Sequence, residues 1–399
     1  MLFKRKEFLQ IGSLATASLM MPQFLKAFEK ANTVPPGNKV IVVLQLSGGN
    51  DGLNTIIPIR NDIYYRERPR LGIKKEKALQ LNDEAGINPA LPFFKELYDE
   101  GNLSILNNVG YPNPDRSHFR SMDIWQSASD NNEYVNTGWL GRYLDAQCNG
   151  CDKPTQALEI DDVLSLALKG ENIKGLALQD PKKLFNTSNE KFFKQINAVH
   201  AHDHEEAAVD YLYKTLSETL SSADYIYQQS RLHPTSQTYP ATETGRSLKT
   251  IASLIMSDIN TKVYYLSLGS FDTHINQENQ QARLFGQLND AIGAFVKDLK
   301  KNHRFEDVTI MTFSEFGRRV AQNASGGTDH GTANNMFFIG GGLKKKGFIN
   351  PMPDLTDLNE GDLKHTVDFK SVYATMLYNW LGADDEKILG KKFEIMDFV

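Results

Sequence analysis

Cysteine is nearly absent. Two residues in 399, Cys148 and Cys151, exclude a disulfide framework, and a lone Cys-x-x-Cys is half a zinc site at most. Between them Asn-Gly reads as a turn, not the strand-to-helix junction a thioredoxin-like pair needs, so the pair is read as a local loop staple. Excess positive charge is also missing: 44 Lys and Arg stand against 49 Asp and Glu, for a formal charge of -5. A broad nucleic-acid face needs clustered excess Lys and Arg, so no nucleic-acid partner is expected. No apolar run is long enough for a stable membrane span. What remains, 40% hydrophobic and 23% charged, is the composition of a globular chain with one large or two ordinary domains.

Residues 1–31 differ from the rest. Lys4, Arg5 and Lys6 precede a weakly apolar stretch from Ile11 to Met21 and the small-residue pattern Ala15-Thr16-Ala17. This is the three-part layout of an export signal. Arg5-Lys6-Glu7-Phe8-Leu9 resembles a twin-arginine address, which exports proteins already folded. Residues 32–399 are then the mature chain, expected in the periplasm or outside the cell.

Residues 39–46 (KVIVVLQL) form a continuous β-branched and apolar run, the mark of a strand buried on both faces of a parallel sheet. The run ends in Ser47-Gly48-Gly49-Asn50-Asp51-Gly52. A phosphate-binding loop would need a Lys that this turn lacks. Residues 102–109 make a second strand, followed by Asp115-Arg116-Ser117-His118 at the start of a helix. There Ser117 is a nucleophile candidate by position, since a helix N-terminus favours an alkoxide and a bound oxyanion. Residues 150–245 read as a helical insertion or cap region. His200, His202 and His204 lie there without an apolar frame and are read as a solvated helix start. From Lys262 a strand leads to Asp272 and His274, and a helix with apolar Leu284, Leu288, Ile292, Phe295 and Leu299 follows. The next strand ends in Glu315, and a Gly-rich loop carrying Asp329 and His330 leads to another strand. A helix is expected over 367–381.

Polar groups thus follow every confident strand through residue 316. If those strands are parallel, their ends lie along one edge, where open α/β sheets place their sites. Carboxylates mixed with imidazoles suit zinc, manganese or a similar divalent ion. Two such ions would stabilise attacking and leaving oxygens in phosphoryl or sulfuryl transfer.

The segments LQLSGGNDGLN (44–54), DRSHF (115–119), TGWLGR (137–142), GSFDTH (269–274), SEFGRR (314–319) and GTDHG (327–331) together resemble the domain-of-unknown-function 1501 family across the mature chain. Its members are exported bacterial proteins grouped with the alkaline phosphatase and sulfatase superfamily. The resemblance implies an α/β fold, an alkaline phosphatase-like three-layer sandwich with a mostly parallel central sheet. It implies Asp51, Asp272, His274, Glu315, Asp329 and His330 as metal ligands. It also implies Ser117 as the nearest match to the nucleophile, with Asp115 and Ser121 as competitors, and the sulfatase cysteine is absent.

These readings lead to an exported hydrolase of phosphate or sulfate esters acting on a small anionic ester. It would use zinc or manganese, two ions at most, with Arg116, Ser117 and His118 as its catalytic group. Arg116, Arg120 or Arg318 is the expected substrate clamp. The runner-up is a non-catalytic periplasmic binding or assembly protein that keeps the fold, and a structural calcium site is a third reading.

Overall fold

The computed structural model describes residues 38–147, 154–191, 193 and 207–399. The expected leader, the Cys148/Cys151 pair and His200, His202 and His204 lie outside the described residues.

In chain order the central strands are β1 (Val40–Leu46), β2 (Leu103–Gly110), β3 (Ala157–Glu159), β4 (Leu176–Ala177), β5 (Val263–Leu268), β6 (Val308–Phe313), β7 (Asn334–Ile339), β8 (Gly347–Phe348) and β9 (Val367–Asp368). They form one sheet in the order β8-β2-β7-β6-β1-β5-β3-β4, with β9 beside β2. Strand β1 is parallel to both neighbours: Leu46 stands opposite Leu268 and Gln45 opposite Phe313. The carboxyl ends of β1, β5 and β6 therefore align. Only β7 runs against its neighbours. Residues 314–333 contain no crossover helix, and without one the chain can return only antiparallel.

Helices cover both faces. They are α1 (Pro92–Asp99), α2 (His118–Ser127), α3 (Trp139–Gln147), α4 (Pro181–Ser188), α5 (Ala207–Leu232), α6 (Glu243–Met256), α7 (Gln277–Lys301) and α8 (Phe369–Thr375). The pleat of β1 sends Val40, Val42 and Leu44 into a core with α1, α6 and α7, and Ile41 and Val43 into a second core with Trp125, Trp139 and Tyr373. The molecule is thus a three-layer α/β structure with a mainly parallel sheet, as the family resemblance implies. None of its described helices is long and apolar enough to cross a membrane.

Two segments depart from expectation. Residues 150–245 supply the edge strands β3 and β4 as well as helices, so this stretch is continuous with the sheet. Its strands, of three and two residues, are too short to show a period of two. At 367–381 the first two residues pair with β2 as β9. Asp368 then caps α8 by accepting from Lys370 N, and Met376–Trp380 forms a π-helical turn.

Candidate functional site

Three loops meet beyond the aligned ends of β1, β5 and β6. They interlock where glycine permits it. Gly48 has φ +114°, and a Cβ there would stand 2.5 Å from Asp272 N. A Cβ on Gly327 would stand 2.2 Å from the His274 carbonyl carbon. Arg318, fully buried, donates to Asp272 Oδ1 (2.8 Å) and to the carbonyls of Gly49 (2.6 Å), Phe271 (2.9 Å), Thr328 (2.9 Å) and Gly48. This guanidinium ties the loops together, so Arg318 is not free to clamp a substrate as expected. Arg120 likewise donates to the carbonyls of Asp130, Asn131 and Glu133. Arg116 is paired with buried Asp362 and keeps 41% of its side chain exposed.

Asp272 lies at the centre of a cluster. Its Oδ1 is 3.0 Å from His274 Nε2 and 3.1 Å from His330 Nε2, and its Oδ2 is 3.5 Å from His118 Nε2. His274 Nε2 and His330 Nε2 are 3.0 Å apart. The far nitrogen of each ring is held from outside: His118 Nδ1 donates to Glu315 (2.8 Å), His330 Nδ1 to the Arg116 carbonyl (2.8 Å) and His274 Nδ1 to Asp329 (3.3 Å). Those partners set the tautomer, so a neutral ring turns the lone pair of Nε2 inward. His118 Nε2 is buried without a hydrogen-bond partner. The ligand atoms of His118, Asp272 and His330 all lie within 4.8 Å of one another. Neighbouring ligands on a tetrahedral zinc at 2.0–2.1 Å are separated by about 3.4 Å. The 3.0–3.5 Å between the Asp272 carboxylate oxygens and the imidazoles is of that size, and imidazole and carboxylate are ordinary donors to zinc. Among the described residues the set with mutually close ligand atoms is His118, Asp272 and His330.

Without an ion, these charges favour a proton on the His118 ring. Burial pushes the Asp272 carboxyl up, but the Arg318 guanidinium beside it, joined by the His330 ring when that ring is protonated, more than offsets this and brings it down to about 2. The hydrogen bond to Glu315 raises His118 above the ordinary histidine range, against the opposing pull of burial. Asp329 is lowered, first by the Asn323 amide. Asn323 and Gln277 were not singled out in the sequence, where an amide after a loop carries no signal of its own.

The expected ligands therefore divide. Asp272, His274 and His330 converge, and they are joined by His118, which was expected in the catalytic group. Glu315 and Asp329 stand behind them, each engaged by a ring nitrogen. Asp51 is elsewhere, with a fully buried side chain. Its Oδ1 caps a short helix by accepting from Leu53 N (3.2 Å) and Asn54 N (3.4 Å), while its Oδ2 accepts from Arg68 (2.6 Å) and Gln277. Arg68 also donates to Asn54 Oδ1 (2.7 Å) and to the carbonyls of Val320 (2.8 Å) and Arg319 (2.9 Å). The structure does not bring Asp51 to the cluster.

The three nucleophile candidates also separate. Ser121 is buried against Tyr111 Oη (2.9 Å) and the Glu315 carbonyl. Asp115 accepts from Ser117 N (2.7 Å). Ser117 is exposed at the start of α2 with no side-chain cap bond. Its neighbours in sequence, Arg116 and His118, both touch the cluster.

No curated protein matches the sequence. Among solved structures, the chain is similar to the PsFucS1 sulfatase from Pseudoalteromonas sp., with 12% identity, TM-score 0.41, and 100% of this chain and 75% of that one covered. It is similar to the lipoteichoic acid synthase LtaP from Listeria monocytogenes, with 11% identity, TM-score 0.40, and 94% and 81% covered. It is also similar to the C-terminal periplasmic domain of EcEptC from Escherichia coli in complex with Zn, with 10% identity, TM-score 0.36, and 77% and 78% covered. The family model described as "Protein of unknown function (DUF1501)" matches residues 102–395, and the chain belongs to that family.

Proposed function

We propose that this chain is an exported hydrolase of phosphate or sulfate esters that uses a divalent metal, zinc or manganese, held by His118, Asp272, His274 and His330. One observation carries the reading. Three imidazoles, each fixed from outside through Nδ1, aim Nε2 at one carboxylate, and His118 Nε2 is buried with no partner. Lone pairs facing a carboxylate repel it unless a cation or protons stand between. A divalent ion held there supplies Lewis acidity toward the ester oxygens and lowers the pKa of a coordinated hydroxyl or water.

The chain's own groups do the rest. Glu315, with no solvent exposure, fixes the His118 ring. Ser117 Oγ attacks the phosphorus or sulfur as the ester oxygen departs, the serine proton reaching the departing alcohol through solvent. Water then cleaves the seryl ester to release the anion and restore Ser117. The peptide N–H groups opening α2 face the charge that develops on the transferred group. Arg116, the most exposed of the three nearby arginines, reaches the ester's anionic oxygens from the rim.

A second reading has its own observation. Asp51 is tied to Arg68, so among the described residues a single ligand cluster is formed where the resemblance implies two metals. A protein that binds an ion and an anionic ligand without turnover fits that economy.

Metal analysis of the purified mature protein, followed by a screen of phosphate and sulfate esters, tests the proposal. Bound zinc or manganese that is lost in Asp272→Ala, together with ester turnover lost in Ser117→Ala, supports the hydrolase. A folded, metal-free protein sinks it. Stoichiometric metal without turnover of any ester selects the binding protein.

A further inference from the structure

A groove of about 820 Å³ lies between α4, the end of α5 and the outer face of α6. Its walls carry Lys182, Arg231, Arg246 and Lys249 against two carboxylates, Asp180 and Glu243. Asp180 is occupied in capping α4, where it accepts from Lys183 N at 2.9 Å. Glu243 sits in the first turn of α6 and complements that helix's dipole. Among the described residues none of the four cations is ion-paired, although Arg246 donates to the Ala241 carbonyl at 2.9 Å and Arg231 lies over the Tyr227 ring. On a chain whose formal charge is -5, this is a local concentration of positive charge in a concave surface. Ser247 and Thr250 add hydroxyl groups between the cations. The ring of Tyr227, stacked on Phe185 with centroids 4.5 Å apart, forms part of the wall.

The groove's place in the fold gives it meaning. Ile160 at its end directly follows β3, which runs parallel to β5 with Glu159 opposite Tyr265. The segment after β5 carries Asp272 and His274, and β5 first continues three residues past the level of Glu159, so groove and cluster both lie toward the carboxyl edge of the sheet. From Glu243 to Ser253 the groove follows α6 for roughly 15 Å, at 1.5 Å per residue. That is the reach of a chain of anionic groups rather than of one ion.

We propose that this groove binds an extended polyanion, a chain bearing repeated sulfate or phosphate groups, and leads it toward the cluster. Lys182, Arg231, Arg246 and Lys249 pair with successive anionic groups, and the hydroxyls and Tyr227 contact the connecting units. Binding stands on the groove alone. The further step, that a bound chain presents one of its esters to the cluster, rests on the hydrolase reading.

The test uses the full mature chain with three probes of matched length: dextran sulfate, inorganic polyphosphate and single-stranded DNA. Affinities are measured by calorimetry for wild type and for Lys182→Glu/Lys249→Glu, whose exposed positions leave the fold intact, as a thermal melt checks. The expected result is binding of one or both of the first two probes, weakened about 30-fold or more in the double variant. The preferred probe then identifies the anionic group. Equal affinity of wild type and variant, or DNA binding as tightly as both other chains, overturns the proposal. His330→Ala separates the two readings: groove binding that survives in it, with no ester turned over by any form of the protein, leaves the groove standing and removes the hydrolase. Turnover of short esters with unaltered binding by the double variant does the reverse.

Discussion

Asp51 and Asp272 follow neighbouring parallel strands, β1 and β5, yet they end in opposite environments. Asp51 is sealed: its side chain is fully buried and its two oxygens accept from two peptide groups, Arg68 and Gln277. Asp272 is open: 47% of its side chain is exposed and three imidazole nitrogens crowd it. Both carry an arginine, so charge alone does not separate them. The difference is what occupies the remaining lone pairs. Around Asp51 these are permanent donors, which make a structural knot. Around Asp272 they are rings whose donors point away, which leaves room for a cation.

The largest expected effect breaks the sealed region. Arg68→Ala leaves Asp51 as an unpaired buried charge and should cost about 3–5 kcal/mol, read as a fall in thermal or denaturant midpoint. Replacing Arg68 and Asp51 together by apolar residues of similar volume should recover most of that loss. If the double replacement is no better than the single, Asp51 does more than pair with Arg68.

The next breaks the open region. His330→Ala should lower metal occupancy and ester turnover by about 100-fold or more. The thermal midpoint of the metal-free protein should scarcely move, because His330 is partly exposed. A large loss of stability in the metal-free state would place His330 with Asp51 as structure.

A third carboxylate sharpens the comparison. Glu159, at the end of β3, is 3% exposed and accepts from Ser165 N at 2.6 Å, and Lys169 offsets its burial only slightly. Burial pushes its carboxyl up to about 7, whereas an unfolded glutamate titrates near ~4.3. Between these values the folded chain holds the extra proton. Its stabilising contribution is therefore complete below pH ~4.3 and is lost as pH rises through about 7, about 3–4 kcal/mol in all. Glu159→Gln should flatten that slope and raise the melting temperature at pH 8, as a series of melts from pH 4 to 8 would show.

The smallest effect is expected from Glu315→Gln. The amide oxygen still accepts from His118 but without its charge, so metal affinity measured by chelator competition should fall about 10-fold. The imidazole of His118 in the metal-free protein, followed by NMR, should titrate at lower pH. An unchanged His118 would mean that Glu315 merely fills space.

Much of this was legible in the sequence. Residues 39–46 and the stretch ending in Glu315 announced buried strands through β-branched and apolar residues, and Val40–Leu46 and Val308–Phe313 are strands. The expectation that strand ends share an edge holds for β1, β5 and β6. Asp272, His274 and His330, placed among the ligands by family resemblance, do converge. What could not be read was partner choice. Nothing in the sequence around Arg68 announces that it reaches back 17 residues to Asp51. Glu315 and Asp329 look like ligands by residue type, but a carboxylate holding a ring nitrogen and one holding a metal are the same residue in a sequence. His118, expected in the catalytic group, is part of the cluster because α2 begins at that residue and turns its ring toward Glu315.

The interlocked loops have a consequence for the order in which this molecule matures. His118 and Glu315 are 197 residues apart in sequence, and Gly48 and Gly327 press on the backbone that carries Asp272 and His274. No short segment holds the cluster by itself. Contacts so distant in sequence close late, after the intervening loop entropy has been overcome. The cluster is thus a gauge of completed folding: a chain that captures its ion there has already set β1, β5 and β6 in register.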